Sequence, residues 1–161
     1  MADRAALLRL RQDVHRDVGA AETLLEAVER RLGPKVPDDE VLLGYAAVTL
    51  HQAYTALETC FERICQTLEG SLPVGPDSHQ ALLQNMTRAL DDMRPAVLGD
   101  EAAKLLRPLL RFRHFVRHAY AVAWDPERID EVLAAARRAW PRVRADMDTF
   151  VAFLDDVIAV M

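Results

Sequence analysis

Apolar residues recur along most of this chain at alternating intervals of three and four, the spacing of helices that each bury one face. From about Asp3 to Leu32 the apolar positions are Leu7, Leu10, Val14, Val18, Ala21, Leu25, Val28 and Leu32, with charges on the opposite side. Gly33 and Pro34 stop this first helix. Asp38 or a neighbour then caps a second helix, whose seam runs through Leu43, Ala46, Leu50, Tyr54, Leu57, Phe61, Ile64 and Leu68 to an end at Gly70. That seam is nearly unbroken and is the strongest core pattern in the chain. The glycines and prolines crowded between Gly70 and Asp77 require a loop. A third helix, capped by Asp77 or Ser78, is predicted to bury Leu82, Leu83, Met86, Leu90 and Met93 and to end at Pro95.

Asp100 is placed to cap a fourth helix with the seam Leu105, Leu109, Phe112, Val116, Ala119 and Ala123, bent by Pro108. It must end near Trp124, because Asp125 and Pro126 read as the cap and first residue of a new helix. The last segment, Glu127 to Val160, buries Ile129, Val132, Leu133 and Ala136, then Val143, Met147, Phe150, Leu154 and Val157, with a kink or break at Pro141. Together these elements predict an all-α protein: an up-and-down bundle of four long helices with one or two additional short helices, in a single domain over 1–161.

Composition agrees with that picture. A chain of 161 residues, 51% apolar and 28% charged with six glycines, suits one soluble helical domain with one sizeable core. Charges at Asp3, Arg4, Arg9 and Arg11 leave no signal peptide at the start, and no apolar run approaches the roughly 20 residues a membrane span needs, so a cytoplasmic protein is expected. Cys60 and Cys65 lie five apart in a helix, unsuited to a local disulfide, and no His/Cys pair has zinc-ligand spacing; both read as inert core residues.

Charge changes the picture more. Between Ala102 and Trp124 there is no acidic residue, while Lys104, Arg107, Arg111, Arg113 and Arg117 stand there. The chain as a whole has a net charge of −5, so the remainder is strongly acidic. Tight, sequence-blind coating of nucleic acid is therefore excluded, but a small cationic groove on an acidic body is not. Within that window, Arg111 to Tyr120 gathers three arginines, two histidines and a tyrosine. Such groups suit binding and cleavage of a phosphodiester.

At about 100° per residue, Arg113 and Tyr120 share one helix face, and Arg111, His114 and His118 share another. Arg113 and His118 are separated by about 140°, so either the helix bends or a second copy supplies the missing group. A two-fold homodimer would bring His118 and Arg113 of both copies to one groove. An imidazole there could take the proton of a ribose 2′-hydroxyl while guanidinium groups stabilise the phosphate oxygens, with no metal or other cofactor. DNA, lacking that hydroxyl, would be spared. The plainer alternative is that these Arg and His side chains are only a solvated helix face. His51 and His79 are assigned core or capping roles, Tyr54 a core role, and the cluster Arg137, Arg138, Arg142 and Arg144 a solvated face that at most extends an RNA path.

At Arg113, His118 and Tyr120 the chain resembles the HEPN superfamily, and more closely the HepT-like ribonuclease toxins, whose signature is Arg, four to six residues, His, any residue, Tyr. Arg111 fits the longer spacing; Arg113 is preferred because the family usually has a polar residue, commonly Asn, directly after the motif arginine, and His114 stands there. The likeness continues through Tyr54, Glu58, Phe61 and Ile64, through His79 with Leu82 and Leu83, through Arg94 to Val97, and through Asp125 with Pro126, from about Leu43 to Arg128. The resemblance implies a homodimer with a composite, metal-independent ribonuclease site built on Arg113 and His118, supported by Arg111, His114 and Arg117. It also implies an antitoxin partner, a minimal nucleotidyltransferase of the MNT type, that transfers AMP to Tyr120 in a type VII-like toxin–antitoxin pair. Added phosphates would fill and neutralise the groove. Two rivals remain at this stage: a non-enzymatic module that binds a nucleotide or presents it to a nucleotidyltransferase partner, and a plain helical interaction domain.

Overall fold

The computed structural model describes residues 2–119 and 123–161. Five helices follow one another: α1 (Arg4–Leu32), α2 (Glu40–Ile64), α3 (Ser78–Met86), α4 (Asp100–His118) and α5 (Pro126–Val160). A wider π-helical turn, Cys65–Glu69, extends α2. The four long helices form a bundle in which α1 packs on α2 and α5, and α4 packs on the same two; the short α3 closes over α2 and α4. No strand occurs among the described residues.

The seam expected for α1 is buried at every position from Leu7 to Leu32, as is that of α2 from Leu43 to Ile64, with Leu68 half-buried. Side chains do the capping: Asp3 accepts from the Ala6 amide, Asp39 from Leu42 and Asp125 from Glu127. At the other ends, Gly33 and Gly70 take positive φ values of 69° and 71°, where a Cβ would be strained, and their amides close onto the Glu29 and Cys65 carbonyls. Buried residues of all five helices join in one apolar cluster.

Three expectations are corrected. Helix α3 stops at Met86, not at Pro95. Beyond it Leu90 and Arg94 pair across a tight turn with Asp92 at φ 62°, so Leu90 is only half-buried and Met93 is exposed. The driving feature is Arg94, whose side chain is fully buried and bonds Glu69, together with the carbonyls of Asn85, Arg88 and Pro95. Burying a guanidinium demands such complete pairing, and a straight helix could not supply it. Helix α5, secondly, runs through Pro141 without a break. Buried Ala139, Val143 and Met147 hold it on both sides, outweighing one lost hydrogen bond. Thirdly, α4 begins one residue earlier, with Gly99 as cap, and ends at His118 rather than near Trp124. No side chain among the described residues caps the first turn; instead the Gly99 amide donates to Asp146 on α5 at 2.8 Å, which ties the start of α4 to that helix.

Candidate active site

The buried face of α4 differs from the expected seam. It consists of Ala102, Ala103, Leu106, Leu109, Leu110, Phe112 and Arg113, while Leu105, Val116 and Ala119 are half-buried and Ala123, beyond the helix, is exposed. Arg113 thus lies in the packed face, where neither charge nor periodicity had placed it. What draws it in is α2. Arg113 Nη2 lies 2.9 Å from Glu58 Oε1, and its Nε donates to Thr55 Oγ1 at 3.2 Å. The Thr55 hydroxyl in turn donates to the His51 carbonyl at 2.9 Å. The two charged side chains are 10% and 4% exposed, so this is a buried, hydrogen-bonded ion pair.

Glu58 uses its second oxygen as well. Oε2 lies 2.9 Å from His79 Nδ1 on α3, so one carboxylate bridges α2, α3 and α4. His79 therefore has neither the core nor the capping role expected of it. His51, Thr55 and Glu58 lie on one stripe of α2, spaced four and three. Burial and the guanidinium groups of Arg113 and Arg117 push the His51 imidazole below its usual pKa, against a smaller opposing effect of Glu58, and its buried Nδ1 has no hydrogen-bond partner among the described residues. A polar strip thus runs along the α2–α4 contact.

The remaining motif residues lie on the outside. Arg111, His114, Arg117 and His118 are exposed. His114 and His118 sit one turn apart, with ring centroids 4.4 Å from each other, as their shared face requires. His118 Nδ1 is 2.8 Å from the His114 carbonyl, which can only accept, so Nδ1 carries a proton, and in the neutral ring the lone pair is on Nε2. Arg113 and His118 thus take their bonds from different sides of α4, as the angular spacing on one straight helix requires. Tyr120, the candidate modification residue, lies outside the described residues.

After the helix, Trp124 turns back against α2: an ideal Cβ on Gly44 would sit 3.7 Å from its Nε1. Its ring contacts Phe112 and Phe115 at centroid distances of 6.4 and 6.2 Å, and Arg128 lies over Phe115 at 3.9 Å. This aromatic group fixes the end of α4 that carries the histidines.

A family model described as HepT-like protein matches residues 45–154. The chain belongs to the HepT-like protein family. The match takes in α2 from Tyr45 onward, α3, α4 and most of α5, extending the likeness carried by Arg113 and His118 well beyond Arg128 and leaving α1 outside. No curated protein matches the chain. In this HepT-like protein Glu58, His79, Arg113 and His118 all fall inside the matched region.

Other candidates are ordinary structure. Arg137 pairs with Glu29, and Arg144 with Glu22 and Asp148, tying α5 to α1. Tyr54 is buried, with its hydroxyl pKa pushed up chiefly by burial; burial likewise raises the Cys60 thiol and pushes Cys65 up to about 11, so neither thiol is reactive. Among the described residues no group of three or more His, Cys, Asp and Glu side chains is arranged to hold a metal ion, and no helix is long and apolar enough to cross a membrane. Sequence reasoning did not foresee the bonds that join Thr55, Glu58 and His79 to Arg113. Glu58 did carry a signal: an acid in the register of the α2 seam, between Leu57 and Phe61, demands a buried partner.

Proposed function

We propose that this HepT-like protein is a metal-independent endoribonuclease toxin. The observation that carries this reading is the setting of His118: an exposed imidazole, pinned through Nδ1 to the His114 carbonyl, so that in its neutral form the base is Nε2. In the proposed reaction Nε2 accepts the proton of a ribose 2′-hydroxyl as that oxygen attacks phosphorus. The bond from phosphorus to the 5′-oxygen breaks, and a protonated group returns a proton to the leaving oxygen. The products are a 2′,3′-cyclic phosphate and a 5′-hydroxyl, and DNA is spared. Arg113, oriented by Glu58 and Thr55, stabilises the non-bridging oxygens with its remaining N–H donors, while exposed Arg111 and Arg117, with His114 beside them, guide the RNA.

The site is proposed to be completed by a homodimer, which supplies His118 and Arg113 from two copies across one cleft. Tyr120 is proposed as the residue to which an MNT-type nucleotidyltransferase antitoxin transfers AMP, in a type VII-like pair; the added phosphates would repel and displace RNA. The test is cleavage of matched ribo- and deoxyribo-oligonucleotides in excess chelator. Wild type should cut only the former, and His118→Ala neither. Intact RNA with the wild-type dimer would refute the proposal.

One observation favours a second reading, a non-enzymatic nucleotide-binding or nucleotidyltransferase-partner module. Glu58 balances the charge of Arg113, so of the three arginines between Arg111 and Tyr120 only Arg111 and Arg117 are exposed. Calorimetry with AMP or ATP on a protein that leaves RNA uncut would support it.

A further inference from the structure

We infer that His79 is a second proton-transfer residue of this site, with Glu58 as the residue that positions both it and Arg113. This rests on the ribonuclease reading and adds to it the missing proton donor. Nothing in the motif on α4 points to His79, which comes from a different helix.

The geometry is that of a carboxylate–imidazole dyad. Glu58 Oε2 accepts from His79 Nδ1 at 2.9 Å while Oε1 accepts from Arg113 Nη2 at 2.9 Å. A carboxylate accepting at Nδ1 fixes the ring's orientation and makes Nε2 the nitrogen left for exchange with a substrate. The His79 side chain is 36% exposed, so substrate can reach it, whereas Glu58 is enclosed and cannot be touched directly. Arg113 already compensates the single charge of Glu58 through Oε1, and Thr55 supports Arg113, so what His79 takes up is the second carboxylate oxygen, Oε2. The position of α3 is also set independently, since Asn85 near its C-terminal end bonds Glu69 and its carbonyl accepts from the buried Arg94. The imidazole thus spends Nδ1 on the buried carboxylate and turns its other nitrogen, Nε2, away from that bond.

In the proposed reaction the protonated His79 gives its Nε2 proton to the 5′-oxygen as the P–O5′ bond breaks, and His118 Nε2 receives the 2′-hydroxyl proton. One proton enters the protein and one leaves it, so the site returns to its starting state by exchange with water. His79 stands on the Arg113 side of α4, so the His118 that acts with it comes from the other copy of the proposed homodimer.

The experiment compares the pH–rate profile of RNA cleavage by the full-length wild type, His79→Gln and Glu58→Gln, with circular dichroism to check folding. His79→Gln should lower the rate about 100-fold or more and remove the alkaline limb, which reports a general acid. A purely structural role would lower the rate equally at all pH values and keep both limbs, and that result overturns the inference. Imidazole nitrogen NMR during titration with adenosine 3′-phosphate supplies a readout independent of turnover. The nucleotide should shift the Nε2 signal of His79, and should shift it less in Glu58→Gln. If RNA stays intact while the nucleotide moves His79, the ribonuclease reading falls and His79 stands as a phosphate-site residue without the proton-transfer role. If the nucleotide moves His118 and leaves His79 still, or moves neither, His79 is no part of the site.

Discussion

Arg113 and Glu58 form a buried ion pair between α4 and α2, Nη2 to Oε1 at 2.9 Å, inside a face that is otherwise apolar. Removing one partner leaves the other charged and enclosed. Arg113→Ala and Glu58→Ala should each destabilise the fold by about 3–5 kcal/mol, whereas the paired replacement Arg113→Met with Glu58→Leu should cost far less than their sum. Urea unfolding of the four proteins checks this. Near-additive losses would mean that the pair is not coupled. Because Arg113→Ala unsettles the fold, Arg113→Lys is the better probe of function, since it keeps the charge and loses the fork.

His51 gives a pH dependence with a defined sign. Its folded pKa lies below the ordinary 6.5 because of burial and then Arg113 and Arg117. The unfolded chain therefore binds more protons just below pH 6.5, and stability contributed by the neutral imidazole is present above that value and lost as pH falls through it. Glu58 faces the same region and is common to both proteins in the comparison. The melting temperature of wild type should fall more steeply between pH 7 and 5 than that of His51→Gln. Parallel curves would show that His51 titrates normally.

Two helical glycines are dispensable. Gly19 in α1 has nothing within 4 Å of an added Cβ, and at Gly44 in α2 the Cβ would meet Trp124 at 3.7 Å, an ordinary contact. Gly19→Ala and Gly44→Ala should each stabilise by about 0.5–1 kcal/mol through reduced backbone entropy of the unfolded chain. Gly44→Phe should instead displace Trp124 and quench or shift its fluorescence. Thermal melts and emission spectra distinguish the two positions.

The seams of α1 and α2 were legible because each faces an apolar partner along its whole length. In α4 the same counting chose Val116 and Ala119 over Leu106, Leu110 and Arg113, since a one-dimensional pattern treats every arginine as solvent-facing. Only the approach of Thr55 and Glu58, far away in the chain, makes that face burial-competent. Arg94 defeated the reading of α3 in the same way: Leu90 and Met93 keep helical spacing, but the fully buried guanidinium needs carbonyls that only a turn can aim at it. Arg113 and His118 could be named as candidates from spacing and chemistry. The bond from His79 to Glu58 could not be foreseen, because it spans a loop whose path the sequence does not specify.

The most direct measurement is mass spectrometry of the ends left on RNA after incubation with wild type and His118→Ala in chelator. Fragments ending in 2′,3′-cyclic phosphate and 5′-hydroxyl from wild type, with none from His118→Ala, are the expected result. RNA left whole by wild type, or the same fragments from the variant, would contradict a ribonuclease site built on His118.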